Sequence, residues 1–316
     1  MKTENRFGPK GWTPERLGSL KGKTYVITGT TTGIGYEATR LLLSKGAKVV
    51  MLNRDGTRSA AIIKKLKNEL GDNVDVSFIH MDLSILDSVR RAALKVKKQV
   101  PNIDALICNA AISQIARQEI TIDGFESHLG VNYFGHFLLC GLLFDKIEES
   151  KGRIVIVGSN AYKMGLKRIN FEDMNFDTHY NAWNPYAHSK LALMMFAYEL
   201  QRRIQAKNKN VQVYVCHPGA SRTDLIKGEN LNKFVKTLWA ILSPFMAQSA
   251  EKGSWPLVLC ATEDMLKSEA YYGPTKRSEL VGPVDECVLE KHVLDRKDAA
   301  KLWTVSEQKT SFKWDL

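Results

Sequence analysis

The sequence is poor in cysteine and histidine, and neither residue is arranged as a disulfide or metal site requires. The five cysteines lie far apart without a Cys-x-x-Cys pair, and the seven histidines join no cysteine or carboxylate at metal-ligand spacing. A disulfide framework and an ordinary zinc site are therefore not indicated. We expect a reduced intracellular protein without a bound metal. The cysteines are Cys108, Cys140, Cys216, Cys260 and Cys287.

Long apolar runs are also missing. Residues 1–6 lack the apolar core of a signal peptide, and the longest apolar stretches, residues 137–144 and 238–247, are too short to cross a bilayer. We expect a soluble, cytoplasmic protein with no transmembrane segment. Phe7, Trp12 and Leu17 are scattered among charged residues, which leaves peripheral membrane contact open.

Acidic residues are outnumbered by basic ones. Lys and Arg total 45 against 34 Asp and Glu, which gives a net charge of +11. This charge suits phosphate-bearing ligands, but it is spread along the chain. The lysine clusters at residues 64–67 and 95–98 lie on predicted helices at solvent-facing spacing, so a solvated helix face explains them. We expect no nucleic-acid partner.

Apolar, β-branched segments alternate with segments of helical period. Near-continuous apolar strands of this kind indicate a parallel sheet covered by helices on both faces. We predict a three-layer α/β fold with a doubly wound, Rossmann-like sheet, and one domain over residues 1–316, because no linker or repeat interrupts the chain. A C-terminal extension at 285–316 has a helical pattern and no assigned function. The predicted strands are 23–27, 49–52, 74–79, 103–107, 154–157 and 211–215.

A glycine-rich turn, Thr28-Gly29-Thr30-Thr31-Thr32-Gly33-Ile34-Gly35, follows the first predicted strand and opens a helix. Glycines allow positive φ and close approach of a pyrophosphate, and the helix N-terminus offers unpaired N–H groups. A plain strand-to-helix turn is the alternative, but the strand and helix context favours binding of an anionic dinucleotide.

Tyr186 is followed by a stretch from Ala187 to Arg203 that includes Lys190 and contains no Gly or Pro. They should stack one helical turn apart, and the ammonium should favour the phenolate and lower the pKa of Tyr186. A second Tyr-x-x-x-Lys match, Tyr272 to Lys276, contains Gly-Pro and cannot be helical. Ser159 ends a predicted strand at the ligand-binding edge, where its hydroxyl can bond a substrate oxygen; a simple turn residue is the alternative.

With these motifs the chain resembles the short-chain dehydrogenase/reductase family from Lys23 to about Ala261. The resemblance implies that Tyr186 exchanges the proton, Ser159 holds the carbonyl, Lys190 also binds the nicotinamide ribose and Asn132 supports a water-linked proton path. It further implies a cofactor site that we predict at Gly29, Thr31, Thr32, Gly33, Ile34, Gly35, Arg54, Asp82, Leu83, Asn109, Ala110, Tyr186, Lys190, Pro218, Gly219 and Thr223.

Two positions inside the matched region depart from the family pattern. Ala111 stands where the Asn-Ala-Gly motif has glycine, and Gly158 replaces a common serine before Ser159. We expect both cofactor binding and catalysis to survive these changes. We also expect a departure from generic membrane-bound retinol dehydrogenases, namely no apolar N-terminal anchor, because Phe7, Trp12 and Leu17 are scattered among charged residues.

The cofactor preference is predicted from the end of the second strand. Asn53 stands where NAD-preferring relatives carry an acid, and Arg54 follows it. A guanidinium can pair bidentately with the 2′-phosphate that a carboxylate would repel, so we expect NADP(H) in preference to NAD(H).

The interval between Ser159 and Tyr186 is longer than is usual in the family and is similar to that of retinol-dehydrogenase-like and protochlorophyllide-reductase-like members. The amphipathic segment 222–248 reads as a flap over the substrate, although core or interface packing is an alternative. We predict an NADP(H)-dependent enzyme that transfers hydride between nicotinamide and a bulky hydrophobic alcohol, aldehyde or ketone, such as a retinoid, steroid or lipid. The alternative is a non-catalytic, NADP(H)-binding regulatory or scaffold protein.

The helix that bears Asn132, predicted from about Ile122 to Ser150, is long and apolar. Family resemblance implies a homodimer interface there. Burial within the monomer is a nearly equal alternative on sequence grounds, so the oligomeric state stays open. For His128 and His136 on the same helix we expect only a role in packing or on the polar face.

Overall fold

Six apolar segments predicted as strands form strands in the computed structural model, which describes residues 6–113, 115–220 and 247–316. Within these residues eight strands form one sheet in the order β3-β2-β1-β4-β5-β6-β7-β8, and only the β7–β8 pair is antiparallel. The strands are β1 Thr24–Thr28, β2 Lys48–Asn53, β3 Val76–His80, β4 Ala105–Cys108, β5 Arg153–Val157, β6 Gln212–Cys216, β7 Tyr271–Lys276 and β8 Val281–Glu286.

Helices cover both faces of the sheet, which confirms the predicted three-layer fold. Alternate side chains of β1 enter different cores: Val26 packs in one cluster, and Tyr25 and Ile27 pack in the other. The first cluster lies under α3, α4, α5 and α7, and the second lies under α1, α2 and α6. The helices are α1 Gly33–Ser44, α2 Gly56–Leu70, α3 Leu86–Gln99, α4 Gly135–Glu149, α5 Asn184–Ala206, α6 Ala250–Thr262 and α7 Arg296–Thr310.

Strand β7 contains Gly273 and Pro274, which the sequence pattern marked only as chain punctuation. Gly273 is required there because an added Cβ would lie 2.1 Å from Nε2 of His217. The second Tyr-x-x-x-Lys match thus lies on a strand that was not predicted, and it is not helical, as its Gly-Pro pair indicated. Tyr272 is buried and Lys276 is exposed, so the two do not share a site.

The Asn132 helix begins later than predicted. Gly124 adopts a φ of +82° in a turn that precedes it, and Ile122 is 83% exposed outside the helix. A π-helical turn, Leu129–Phe134, then leads directly into α4. The turn places Asn132 in the buried interior rather than on the regular spacing of an α-helix.

The C-terminal residues cover α4 from the outside. Trp303 of α7 and Trp314 after it both pack against Phe137, with ring centroids 5.5 and 5.7 Å away. Burial within the monomer therefore explains the apolar face of α4. The division into one domain with a C-terminal extension stays a prediction, and residues 222–246 of the predicted flap lie outside the described residues.

No helix among the described residues is both long enough and apolar enough to pass through a membrane.

Candidate active site

A cleft of about 590 Å³ opens at the carboxyl edge of the sheet, where the strand order reverses between β1 and β4. Ligands of doubly wound sheets bind at such a switch point. The cleft brings together most of the predicted site. Asn132 lies outside its lining, and Thr223 lies outside the described residues. The predicted residues that line it are Gly29, Thr31, Thr32, Gly33, Ile34, Gly35, Arg54, Asp82, Leu83, Asn109, Ala110, Ser159, Tyr186, Lys190, Pro218 and Gly219.

The glycine turn is shaped for close approach of a ligand. Gly29 has a φ of +69°, and an added Cβ would lie 2.8 Å from Cα of Ala110. Asn109 holds the turn, because its Nδ2 donates to the carbonyl oxygens of Thr28 and Gly29, each at 2.8 Å. Thr32 caps α1 without a side-chain hydrogen bond, so the first-turn N–H groups are left for an anionic group.

Asn53, at the end of β2, connects the glycine turn to the start of α2 through hydrogen bonds. It is buried, its Oδ1 accepts from the backbone N–H of Thr30 at 2.9 Å, and its Nδ2 donates to Thr30 Oγ1 and Ser59 Oγ. Two exposed guanidinium groups, Arg54 and Arg58, line this end of the cleft. The positive charge of the site is thus larger than the sequence prediction, which included only Arg54.

Tyr186 lies at the start of α5 and is 9% exposed. Burial raises its pKa, and an interaction with the Ser159 hydroxyl lowers it in part. This direction is opposite to the expected lowering by Lys190. The physical reason is that burial destabilises the phenolate by more than the hydrogen bond with the Ser159 hydroxyl stabilises it. Ser159 Oγ also accepts from the N–H of Ala161 at 3.2 Å.

Lys190 lies one turn beyond Tyr186, as the Gly- and Pro-free stretch predicted. Its side chain is buried, and Nζ donates to the carbonyl oxygen of Val157 at 2.9 Å. Burial lowers its pKa to about 8. A buried lysine whose pKa lies near neutrality can exchange charge state during a proton transfer.

Asn132 is completely buried beside the cleft. Its Oδ1 accepts from the N–H of Ile112 at 2.9 Å, and its Nδ2 donates to the carbonyl oxygen of Ile112 and to Ser189 Oγ, each at 3.0 Å. Ser189 Oγ in turn donates to the carbonyl oxygen of Tyr186 at 2.8 Å. Asn132 therefore ties the chain after β4 to the helix that carries Tyr186 and Lys190.

Packing explains why Gly158 stands where the family pattern commonly has a serine before Ser159. An added Cβ would lie 2.8 Å from Sδ and 3.0 Å from Cγ of Met194, which fills the space where a serine side chain would point. Met194 is fully buried on α5. Glycine at position 158 thus leaves room for Met194, and Ser159 lines the cleft.

Sequence reasoning missed many residues that line the cleft, and four of them bear on its binding properties. Arg58 lies four residues after Arg54, at the start of α2, so its position in the sequence was a usable signal. Met164 and Trp183 lie within the long interval between Ser159 and Tyr186, and Met164 is 70% exposed. Leu280 reaches the cleft from the β7–β8 connection, and because that hairpin was not predicted, the sequence offered no signal for it.

One group of described residues has metal-ligating atoms close together, within 4.8 Å of one another: His217, Glu279 and Cys287. The residues are remote in sequence, so spacing rules could not find them. In this structure Glu279 bonds to Nζ of Lys163 at 2.6 Å, and Nε2 of His217 contacts Sγ of Cys287 at 3.4 Å. The ammonium of Lys163 opposes a second cation at the same carboxylate.

Comparisons with known proteins agree with this architecture. The family model for short chain dehydrogenase matches residues 23–233. Human retinol dehydrogenase 14 is 35% identical over 305 residues, covering 92% of this chain and 87% of the relative, and human retinol dehydrogenase 12 is 34% identical over 299 residues, covering 94% and 89%. Human polyprenol dehydrogenase is 32% identical over 250 residues, covering 77% and 73%.

A solved structure of an uncharacterized protein from Mycobacterium paratuberculosis is also similar, with a TM-score of 0.78 and 32% identity over 97% of this chain and all of that one. The sheet and its glycine turn are of the nucleotide-binding, Rossmann type. The chain belongs to the short-chain dehydrogenase family, in the group similar to retinol dehydrogenases, and is an oxidoreductase of a family that uses nicotinamide cofactors.

Proposed function

We propose that this protein is an NADP(H)-dependent oxidoreductase that transfers hydride between nicotinamide and a bulky hydrophobic alcohol, aldehyde or ketone. The observation that carries the proposal is one cleft lined by Ser159, Tyr186 and Lys190 at one end and by Arg54 and Arg58 at the other, with the glycine turn between them. A cytoplasmic location stays a prediction.

The residues present fit a dinucleotide. The positive φ of Gly29 and the uncapped first turn of α1 form a cradle for the pyrophosphate. An added Cβ at Gly35 would lie 2.1 Å from the carbonyl oxygen of Gly29, so only glycine allows this tight turn. Asp82 and Leu83 line the part of the cleft that we assign to the adenine, and Pro218 and Gly219 line the part that we assign to the nicotinamide.

In the proposed mechanism, a nicotinamide held in this cleft would supply hydride to a carbonyl carbon or accept it from an alcohol carbon. Tyr186 donates a proton to the carbonyl oxygen during reduction, and the Ser159 hydroxyl bonds the same oxygen as negative charge develops on it. Lys190 binds the ribose and restores the proton to Tyr186. A proton path past Asn132 remains part of this proposal, although its side chain bonds to Ile112 and Ser189.

The preference for NADP(H) rests on charge. Arg54 and Arg58 together offer the cleft two guanidinium groups, and Asn53 puts no carboxylate at the end of β2. The carboxylate of Asp55 also lines the cleft, and its Oδ1 accepts from the backbone N–H of Arg58, so the two guanidinium groups outnumber it. Guanidinium groups bind phosphate through paired, charge-assisted hydrogen bonds. The free energy gained from a 2′-phosphate should therefore exceed that from a ribose hydroxyl at the same position.

The substrate class rests on the apolar residues near Tyr186. Trp183 lies with its ring centroid 6.1 Å from that of Tyr186, and Met164 and Leu280 line the same cleft. Largely apolar linings with a few polar groups suit hydrophobic ligands. Two relatives are named for apolar alcohols, retinol and polyprenol, which supports a long apolar substrate for this chain as well.

The test is NADPH consumption with apolar aldehydes and ketones, including retinal and steroids, by the native protein and by Tyr186→Phe. We expect turnover by the native protein and a loss of at least about 100-fold in the variant, because proton transfer contributes roughly this factor. Tyr272→Phe, in the second Tyr-x-x-x-Lys match, is the control and should keep its activity. Tight NADPH binding without turnover of any carbonyl or matching alcohol would favour the non-catalytic alternative.

A further inference from the structure

Two buried side chains, one turn apart, hold the chain that leaves β4. Asn132 accepts from the N–H of Ile112 and donates to its carbonyl oxygen. His128, four residues earlier, accepts through Nε2 from the N–H of Ile115, in a long hydrogen bond of 3.5 Å. We call Ile112 and Ile115 the wall residues, because both line a cavity of about 670 Å³ beside the cleft, and Ile112 lines the cleft as well.

Glu126 sets the orientation of His128. Its Oε1 accepts from Nδ1 of His128 at 2.7 Å, and both side chains are fully buried. Because Nδ1 carries the donated proton, Nε2 is free to accept from the wall in the neutral imidazole. Glu126 is itself fixed: its Oε2 accepts from the N–H of Leu129 at 2.9 Å, and its own N–H donates to Oδ1 of Asn175.

The wall is held from its other side by Tyr180. Its hydroxyl donates to the carbonyl oxygen of Ile115 at 2.9 Å. The ring of His128 also lies edge-on to Tyr186, with centroids 6.1 Å apart. His128 therefore lies between Ile115 and the tyrosine to which we assign the proton transfer.

We propose that His128, oriented by Glu126, is a positioning residue that fixes the wall residues and thereby the space open to a bulky substrate. This role rests on the proposed function. Without the imidazole acceptor, the N–H of the half-buried Ile115 loses its protein partner, which costs free energy and favours displacement of the wall. A shifted wall opens the cleft toward the neighbouring cavity, so a large substrate is held less well while a small one is little affected.

The test compares His128→Leu, which removes the acceptor at similar volume, with His128→Gln, which restores an acceptor. The first readout is hydrogen exchange at the Ile115 amide in the cofactor-free protein. We expect about fivefold faster exchange in His128→Leu and near-native exchange in His128→Gln, because one hydrogen bond is lost and regained. His179→Leu, at an exposed histidine, is the matched control and should leave exchange unchanged.

The second readout is kinetic. In His128→Leu the KM for a bulky apolar substrate should rise about fivefold, with the KM for a small carbonyl and the Kd for NADPH within about twofold of native. Unchanged exchange at Ile115, or equal losses for bulky and small substrates, would overturn the proposal. If His128→Leu does not fold, Glu126→Gln replaces it: it keeps an acceptor for Leu129 while weakening the hold on His128, so faster Ile115 exchange supports the proposal and native exchange refutes it.

The two proposals fail separately. A native protein that turns over no substrate contradicts the proposed function, but Ile115 exchange still reports whether His128 holds the wall. Native turnover with unaltered exchange in His128→Leu contradicts only the positioning role.

Discussion

Gly141 on α4 and Phe312 beyond α7 are in direct contact: a Cβ added to Gly141 would lie 2.2 Å from Cε1 of the Phe312 ring. The absence of a side chain at 141 is what allows the C-terminal segment to lie on α4. A hydrogen bond also holds the end of α7 to α3: Nη2 of Arg90 donates to the carbonyl oxygen of Thr310 at 2.6 Å. The C-terminal segment thus covers a helix face that would otherwise be apolar and open.

Gly141→Val should displace Phe312 and lower the free energy of unfolding by about 1–3 kcal/mol, the usual cost of overpacking a filled site. Urea unfolding measures this change, with the exposed Asp145→Ala of the same helix as the control. Light scattering on both variants should show self-association only in Gly141→Val, because the uncovered face of α4 is apolar. Native stability in Gly141→Val would show that the contact with Phe312 is not tight in solution.

Arg54→Ala and Arg58→Ala should each weaken NADPH binding by about tenfold, because each removes a charge-assisted contact to the 2′-phosphate. NADH affinity should change by less than about twofold, since NADH lacks that phosphate. Fluorescence titration of both cofactors gives the affinities, and Lys64→Ala serves as a control for the loss of positive charge elsewhere. Equal losses for the two cofactors would refute the role in phosphate recognition.

The buried imidazole of His136 predicts acid sensitivity. Burial lowers its pKa to about 4, and its Nε2 contacts Thr28 Oγ1 at 3.0 Å. The unfolded chain binds a proton at this residue below pH about 6.5 and the folded chain does not, so stability is lost as pH falls from about 6.5 to about 4. The slope of unfolding free energy with pH should be smaller by about 1 kcal/mol per pH unit in His136→Gln. The exposed His80→Gln should keep the native slope; an identical slope in all three proteins would contradict the prediction.

The buried ammonium of Lys190 predicts a change in stability at alkaline pH. Its pKa is lowered to about 8 by burial, while the unfolded chain keeps the ordinary value of 10.5. Between these values the unfolded state binds more protons, so this group makes the cofactor-free protein more stable as pH rises from about 8 to about 10. Unfolding curves of Lys190→Met should lack this rise, and those of the exposed Lys207→Met should retain it. A rise of equal size in Lys190→Met would assign the effect to other groups.

The sequence predicted correctly those features that depend only on residues close together in the chain. The glycine turn, the helix with Tyr186 one turn from Lys190, and the six apolar strands were all predictable, because backbone freedom and side-chain periodicity are properties of short segments. The start of the Asn132 helix was misplaced, since Gly124 and the π-helical turn interrupt a pattern that looks continuous in apolar residues. The β7–β8 hairpin was missed because the Gly273-Pro274 pair usually marks a turn.

The sequence by itself determined the family, the layered sheet and the residues that meet at its carboxyl edge, because parallel strands bring their C-terminal ends together whatever the loops do. The tertiary structure decided the environment of those residues. Burial raised the pKa of Tyr186 and lowered that of Lys190, opposite to what their pairing alone suggested for the tyrosine. Desolvation depends on every element packed around a group, and the partners of His128, Asn132 and Gly141 come from segments remote in the chain.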